Sequence, residues 1–386
     1  MDQFSAWLMR ASRDATPKRV HFLDALRGLA AVWVVVVHVA MLPSPRLQVA
    51  PFLDVFVVNG VMGVELFFVV SAFSLCLSMP VHDREAHPML GFALRRFFRI
   101  APLFYLMILV MCIHNFSGVV IDGKSILLNL TFVFNLVPGY QTSLVPAGWT
   151  IGVEMLFYLL FPLLYRRLKG VALATFALFI AIGVATVFFM TVSLFVDDPF
   201  NYYLYSILYR APIFTFGLVA FYALPLLEKR PDRKEIGLAL LASVPVLFFA
   251  ITTNKVALFD KYYWEGVMFG ALVVGLGLAP IAMIVNPVSA WLGRISYSVY
   301  LLHTPVIVTL IPTMRSIQAL VASQTVAFAL SLAMILALVI PAAFLMNYFV
   351  EDPINKWGKR LSSRVAGLKN VEPLSSQAVV AEAVRN

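Results

Sequence analysis

The stretch "DALRGLAAVWVVVVHV", residues 24–39, sets Arg27 and His38 in a run otherwise suited to hydrocarbon. Eleven helical steps of about 100° bring the two onto one helix face, about 16 Å apart along the axis. Ionisable side chains inside an apolar span are costly and mark functional sites by default. A histidine titrates near neutrality and can take a hydroxyl proton as a bond forms. A guanidinium donates paired hydrogen bonds to phosphate oxygens. Arg27 near a helix end also fits snorkelling to headgroups, and His38 a bond to a neighbouring backbone. The depth of His38 favours chemistry.

Three more ionisable residues, Glu65, Glu154 and His303, interrupt other apolar blocks, and Arg210 is a further intramembrane charge. In "LRRFFRIAP", Arg96 and Arg99 stand at i and i+3, and Arg95 and Arg99 at i and i+4, on adjoining helix faces. A phosphate site and the usual gathering of positive charge on one side of a membrane explain this cluster equally well. Glu65 fits as partner to either Arg210 or Arg27. Tyr297, Tyr300 and His303 line up in "ISYSVYLLH", where packing explains the tyrosines. Cys76 and Cys112 show neither a disulfide framework nor metal-ligand spacing.

The elements that must hold these residues follow from composition. Of 386 residues 61% are hydrophobic and only 13% charged, far from the balance of a soluble domain. An all-α, polytopic membrane protein is expected. Apolar blocks near 23–42, 55–79, 97–115, 147–165, 170–193, 203–226, 236–253, 262–285, 288–310 and 324–350 predict ten transmembrane helices. The stretch "SILLNLTFVFNLVP", 125–138, is too short and reads as an outer, non-spanning segment. With it left out, both termini are cytoplasmic and 22 of the 29 Lys and Arg fall on the cytoplasmic side. Topology thus accounts for the net charge of +9, and nucleic acid is not an expected partner.

Residues 1–22 and 351–386 read as cytoplasmic tails around a membrane domain at 23–350, with no cleavable signal peptide. Both tails are too short for a folded domain, so chemistry is expected within the membrane block. Glu351 in "EDP" is expected to end the last helix ahead of Pro353. Counting about 1.5 Å per residue puts His38, Glu65, Glu154 and His303 at one depth, about 20 Å from the cytoplasmic ends. One shared buried site is therefore expected. Two function classes fit: an enzyme joining a cytoplasmic phosphate-bearing donor to an outward-facing acceptor, and a proton-coupled transporter or flippase. The transporter reading lacks paired, interrupted repeats; Arg294 and His303 stand nine residues apart and do not repeat the Arg27–His38 spacing.

Five blocks, "FLDALRGLAAVWVVVVH", "GVELFFVVSAFSL", "RRFFRIAPLFYL", "GWTIGVEMLFYLLFP" and "LGRISYSVYLLHTP", occur in an order that resembles the acyltransferase type 3 family. These are bacterial integral-membrane O-acyltransferases, including O-antigen and other surface-glycan acetylases. The resemblance runs to "YFVEDPINKW" and covers about 330 of the 386 residues. It places the family's Arg–His signature on Arg27 and His38, its Arg pair on Arg96 and Arg99, and its Trp block on Trp149, Thr150 and Glu154. Ala72 replaces the family's usual Gly, and Glu65 stands where Asp is commoner.

The resemblance implies an acyl-CoA donor, usually acetyl-CoA, as co-substrate, with Arg27, Arg96 and Arg99 on its phosphates and no metal. His38 is then the general base, or an acyl carrier, and Glu154 orients it or supports its imidazolium. Trp149, Thr150, Glu65 and His303 are expected on the acceptor side, although a Trp at a helix end also serves as an interface anchor. The implied setting is the bacterial cytoplasmic (inner) membrane, with a glycan or undecaprenyl-linked sugar as acceptor. Many relatives carry an extracellular hydrolase-like domain, so a periplasmic partner protein is implied where the chain lacks one.

Overall fold

The computed structural model describes residues 18–82, 85–115, 118–256 and 260–367, and no strand occurs among them. Helix α1 covers Lys18–Met41, α2 Pro51–Val58, α3 Gly63–His82 and α4 Pro88–Ile113. A short α5, Gly123–Leu130, leads to α6, Trp149–Arg167, then α7, Val171–Thr191, and α8, Pro199–Leu204. The chain continues through α9, Ile207–Glu228, α10, Arg233–Thr252, α11, Lys261–Leu278, and α12, Pro287–Arg294. It ends in α13, Ser296–Leu320, α14, Gln324–Met346, and α15, Asp352–Ala366. Helices satisfy their own backbone hydrogen bonds, which hydrocarbon would leave unmet.

Among the described residues, eight helical segments are long and apolar enough to cross a membrane. The two other expected spans, α6 and α11, are helices of 19 and 18 residues that dilute their apolar runs with Glu154 and Glu265. Helix α5 has eight residues, about 12 Å of rise, too little to cross.

Several boundaries differ from expectation: α4 begins at Pro88, nine residues early, α11 ends at Leu278, seven residues early, and two further differences lie toward the C-terminus. The expected span 288–310 is two helices, because Asn286 and Ser289 cap α12 reciprocally and the chain leaves helical geometry at Ile295 (φ −98°, ψ 3°). The second of them, α13, runs on to Leu320 and takes in Arg315. Nor does Glu351 end the last helix. A π turn, Asn347–Glu351, passes directly into α15, with Pro353 in its first turn, where a missing N–H costs no bond.

Helix α1 is the partition of the molecule. Its Leu23, Leu26, Ala30 and Val34 face a large core shared by α3, α4, α6, α9 and α11. Its Ala31, Val35 and Val39 face a second core made by α13 and α14. Close approach of α12 to α1 depends on small residues: a Cβ on Gly28 would meet the Ser289 carbonyl and the Gly293 amide. Dispersion from such contact drives helix association where lipid is as apolar as the side chains. By contrast α7 and α10 have 17% and 11% of their most apolar stretch buried, against 67% for α1, and so form the periphery.

Candidate active site

A cavity of about 350 Å³ lies between α1, α3, α4, α6 and α13, within the range of small-ligand pockets. Arg27, Arg96 and Arg99 line one end, Glu154 the middle, and Thr150 and Tyr300 the other end. Arg99 is exposed, so the cationic end reaches the molecular surface. A row of serines on α3 organises the wall. Arg27 Nη2 donates to Ser74 Oγ at 2.6 Å, and its Nη1 pairs with Asp24 at 2.9 Å. Arg96 Nη2 donates to Ser78 Oγ at 3.1 Å, and its guanidinium lies over the Phe92 and Tyr158 rings at 5.5 and 5.7 Å. Ser71 Oγ and Tyr158 OH both donate to Glu154 Oε1, at 2.6 and 2.5 Å.

The serines and Tyr158 escaped sequence reasoning. Their signal was present: Ser71, Ser74 and Ser78 in "SAFSLCLS" are spaced 3 and 4, one helix face. Lone hydroxyls in membrane helices normally bond their own backbone, as Ser74 and Ser78 also do here, which hides that face.

His38 and His303 lie outside the cavity lining and against each other, with ring centroids 4.9 Å apart. Tyr300 joins the two regions, since it lines the cavity and its ring lies 5.6 Å from that of His303. Its hydroxyl is fixed at 3.1 Å from both Thr150 Oγ1 and the Ala147 carbonyl. His38 Nδ1 donates to the Val34 carbonyl at 2.8 Å.

The other expected members stand elsewhere. Glu65 pairs with Arg210, which the Trp149, Tyr209 and Tyr262 rings surround at 4.9 to 5.0 Å. Arg210 therefore takes Glu65, and Arg27 takes Asp24. The four residues expected at one depth are three groups: His38 with His303, Glu154 with Ser71 and Tyr158, and Glu65 with Arg210. Depth along an axis fixes no direction around it, and each helix turns its polar residue toward a different neighbour. Glu154 accordingly meets hydroxyls rather than the ring of His38. Trp149 packs edge-on to Phe68 and beside Tyr205, inside the protein. Among the described residues no three His, Cys, Asp or Glu side chains converge as metal ligands.

Comparison with known proteins identifies the family. A family model described as an acyltransferase domain, type 3, matches residues 20–346. The peptidoglycan O-acetyltransferase OatA of Listeria monocytogenes is 27% identical over 346 residues, covering 80% of this chain and 53% of that protein. YrhL of Bacillus subtilis, whose name assigns it peptidoglycan O-acetylation provisionally, is 24% identical over 397 residues, covering 93% of this chain and 58% of its own. The chain thus spans little more than half the length of these curated relatives. No solved structure matches it significantly. Spanning helices and the extent of the family match together make the chain a multi-pass membrane protein of the acyltransferase type 3 family.

Proposed function

We propose that the chain moves an acetyl group from a cytoplasmic acyl-CoA to a hydroxyl of an envelope glycan, with peptidoglycan the first candidate because the similar OatA carries that name. The observation that carries this reading is one cavity with three arginines at its surface end and Tyr300 at its inner end, against the His303–His38 pair. Phosphates of the donor lie on Arg27, Arg96 and Arg99, where guanidinium forks match their oxygens. The thioester arm runs along the serine face of α3 toward Tyr300. Glu154 holds Tyr158 against Arg96 and so shapes the channel rather than the base.

His38 Nε2 takes the acceptor hydroxyl proton as the oxygen attacks the thioester carbonyl carbon. The C–S bond breaks, the C–O ester bond forms, and the imidazolium returns its proton to the departing thiolate. Inverted membrane vesicles given labelled acetyl-CoA provide the test. Ester-linked acetate appears with the wild type and falls at least about a hundredfold with His38→Ala. Undiminished transfer by that variant overturns the proposal.

A further inference from the structure

We propose that His303 is the positioning residue for His38, the part first expected of Glu154; this rests on the reading of His38 as the base. Hydrogen-bond direction assigns each ring nitrogen. A carbonyl only accepts, so His38 Nδ1, 2.8 Å from the Val34 oxygen, carries its proton. By the same reasoning His303 Nδ1, 2.5 Å from the Tyr300 oxygen, carries the proton of that ring. His303 Nε2 is then a lone pair in the neutral ring, and it faces His38 Nδ1–H at 3.3 Å. Thr304 Oγ1 is a second donor to it at 3.1 Å.

Two consequences follow for the base. Its basic lone pair is confined to Nε2, the only ring nitrogen without a hydrogen bond among the described residues. Once Nε2 takes a proton, the charge spreads to Nδ1–H, and both of that group's acceptors gain charge-assisted bonds. His303 has no exposure to solvent, so its ring cannot turn away into water. Carboxylates are committed elsewhere, Glu154 to Ser71 and Tyr158 and Glu65 to Arg210. A neutral histidine supports an imidazolium without placing an uncompensated buried charge beside it in the resting state. The backbone bond to Tyr300 ties this partner to the wall of the donor cavity.

Inverted membrane vesicles carrying the full chain and their own envelope glycans are given acetyl-CoA at varied concentration, and ester-linked acetate is followed. His303→Leu lowers kcat about 30-fold or more while the donor KM stays within about threefold. His303→Gln, whose amide oxygen reaches the place of Nε2, recovers about tenfold of that loss. His303→Asn is too short to do so and remains near the Leu variant, which keeps the comparison available where His303→Leu does not accumulate. Unchanged kcat in the Leu or Asn variants, a loss confined to KM, or Gln no better than Asn overturns the inference. His38→Ala separates the two readings: if it stays active the base assignment fails, whereas an inactive His38→Ala beside a fully active His303→Leu removes only the role of His303.

Discussion

At the scale of single residues, the three arginines are not equivalent. Arg96 has its Nη2 on Ser78 and its plane over two rings, yet its buried Nε has no partner among the described residues. A buried donor left unpaired is costly, and a phosphate oxygen entering the cavity would satisfy it. Arg96→Lys keeps the charge but loses the fork, so the donor KM rises about tenfold with kcat nearly unchanged, read from initial rates against acetyl-CoA. The Glu65–Arg210 pair belongs to stability instead. Arg210→Met leaves Glu65 buried without its counterion and lowers stability by about 3–5 kcal/mol, while adding Glu65→Gln recovers part of the loss. Thermal unfolding in detergent compares the two variants. Residue types were legible in the sequence; the direction each side chain takes was not, which is why Glu65 had two candidate partners and His38 was given Glu154.

At the scale of elements, the docking of α15 on α4 holds the arginine end of the cavity. Ser362 accepts from Arg95 Nε at 3.0 Å and donates to the Gly91 carbonyl at 3.0 Å, and Gly358 lies against Phe98. A Cβ on Gly358 would fall within 2.4 Å of the Phe98 Cβ, so Gly358→Val displaces α15. Because Phe98 adjoins Arg99, the donor KM rises while the His38 chemistry is spared, again read as a KM-against-kcat split. Pro353 concealed this helix, since a proline that cannot continue one helix can open the next. The loop helix α5 has a capping box in which the Asp122 carboxylate accepts from the Ser125 amide at 2.6 Å. That bond, then the Ser125 hydroxyl, holds the Asp122 carboxyl below its ordinary 3.8. A depressed pKa contributes stability above the unfolded value and loses it as pH falls through the folded one. Asp122→Asn therefore melts earlier than wild type at pH 7, and the gap closes below 3.8, measured by melting in detergent across pH.

At the scale of the whole molecule, the buried α1 and the lipid-facing α7 and α10 are told apart only by the structure, because all three runs are apolar enough to span a membrane. Hydropathy records what can enter a membrane, not which helix is central to it. Sidedness, however, is written in charge, and the geometry turns it into a test. Arg210 on α9 pairs with Glu65 on α3, and Gly217 meets Val69 and Ala72, so the two helices run parallel. The Lys229 end of α9 therefore lies with the Ser78–Arg96 end of the cavity, while α5 and the Trp149–Arg210 cluster lie at the other. The proposed cytoplasmic donor requires Lys229 to face the cytoplasm. In a background of Cys76→Ser and Cys112→Ser, intact spheroplasts are treated with an impermeant maleimide. Lys124→Cys on α5 labels at once, whereas Lys229→Cys labels only after permeabilisation, and acetyl-CoA supports transfer in inverted vesicles but not in right-side-out ones. Labelling of Lys229→Cys from outside would turn the arginine end away from the cytoplasm, and the donor could no longer reach it by the route the cavity offers.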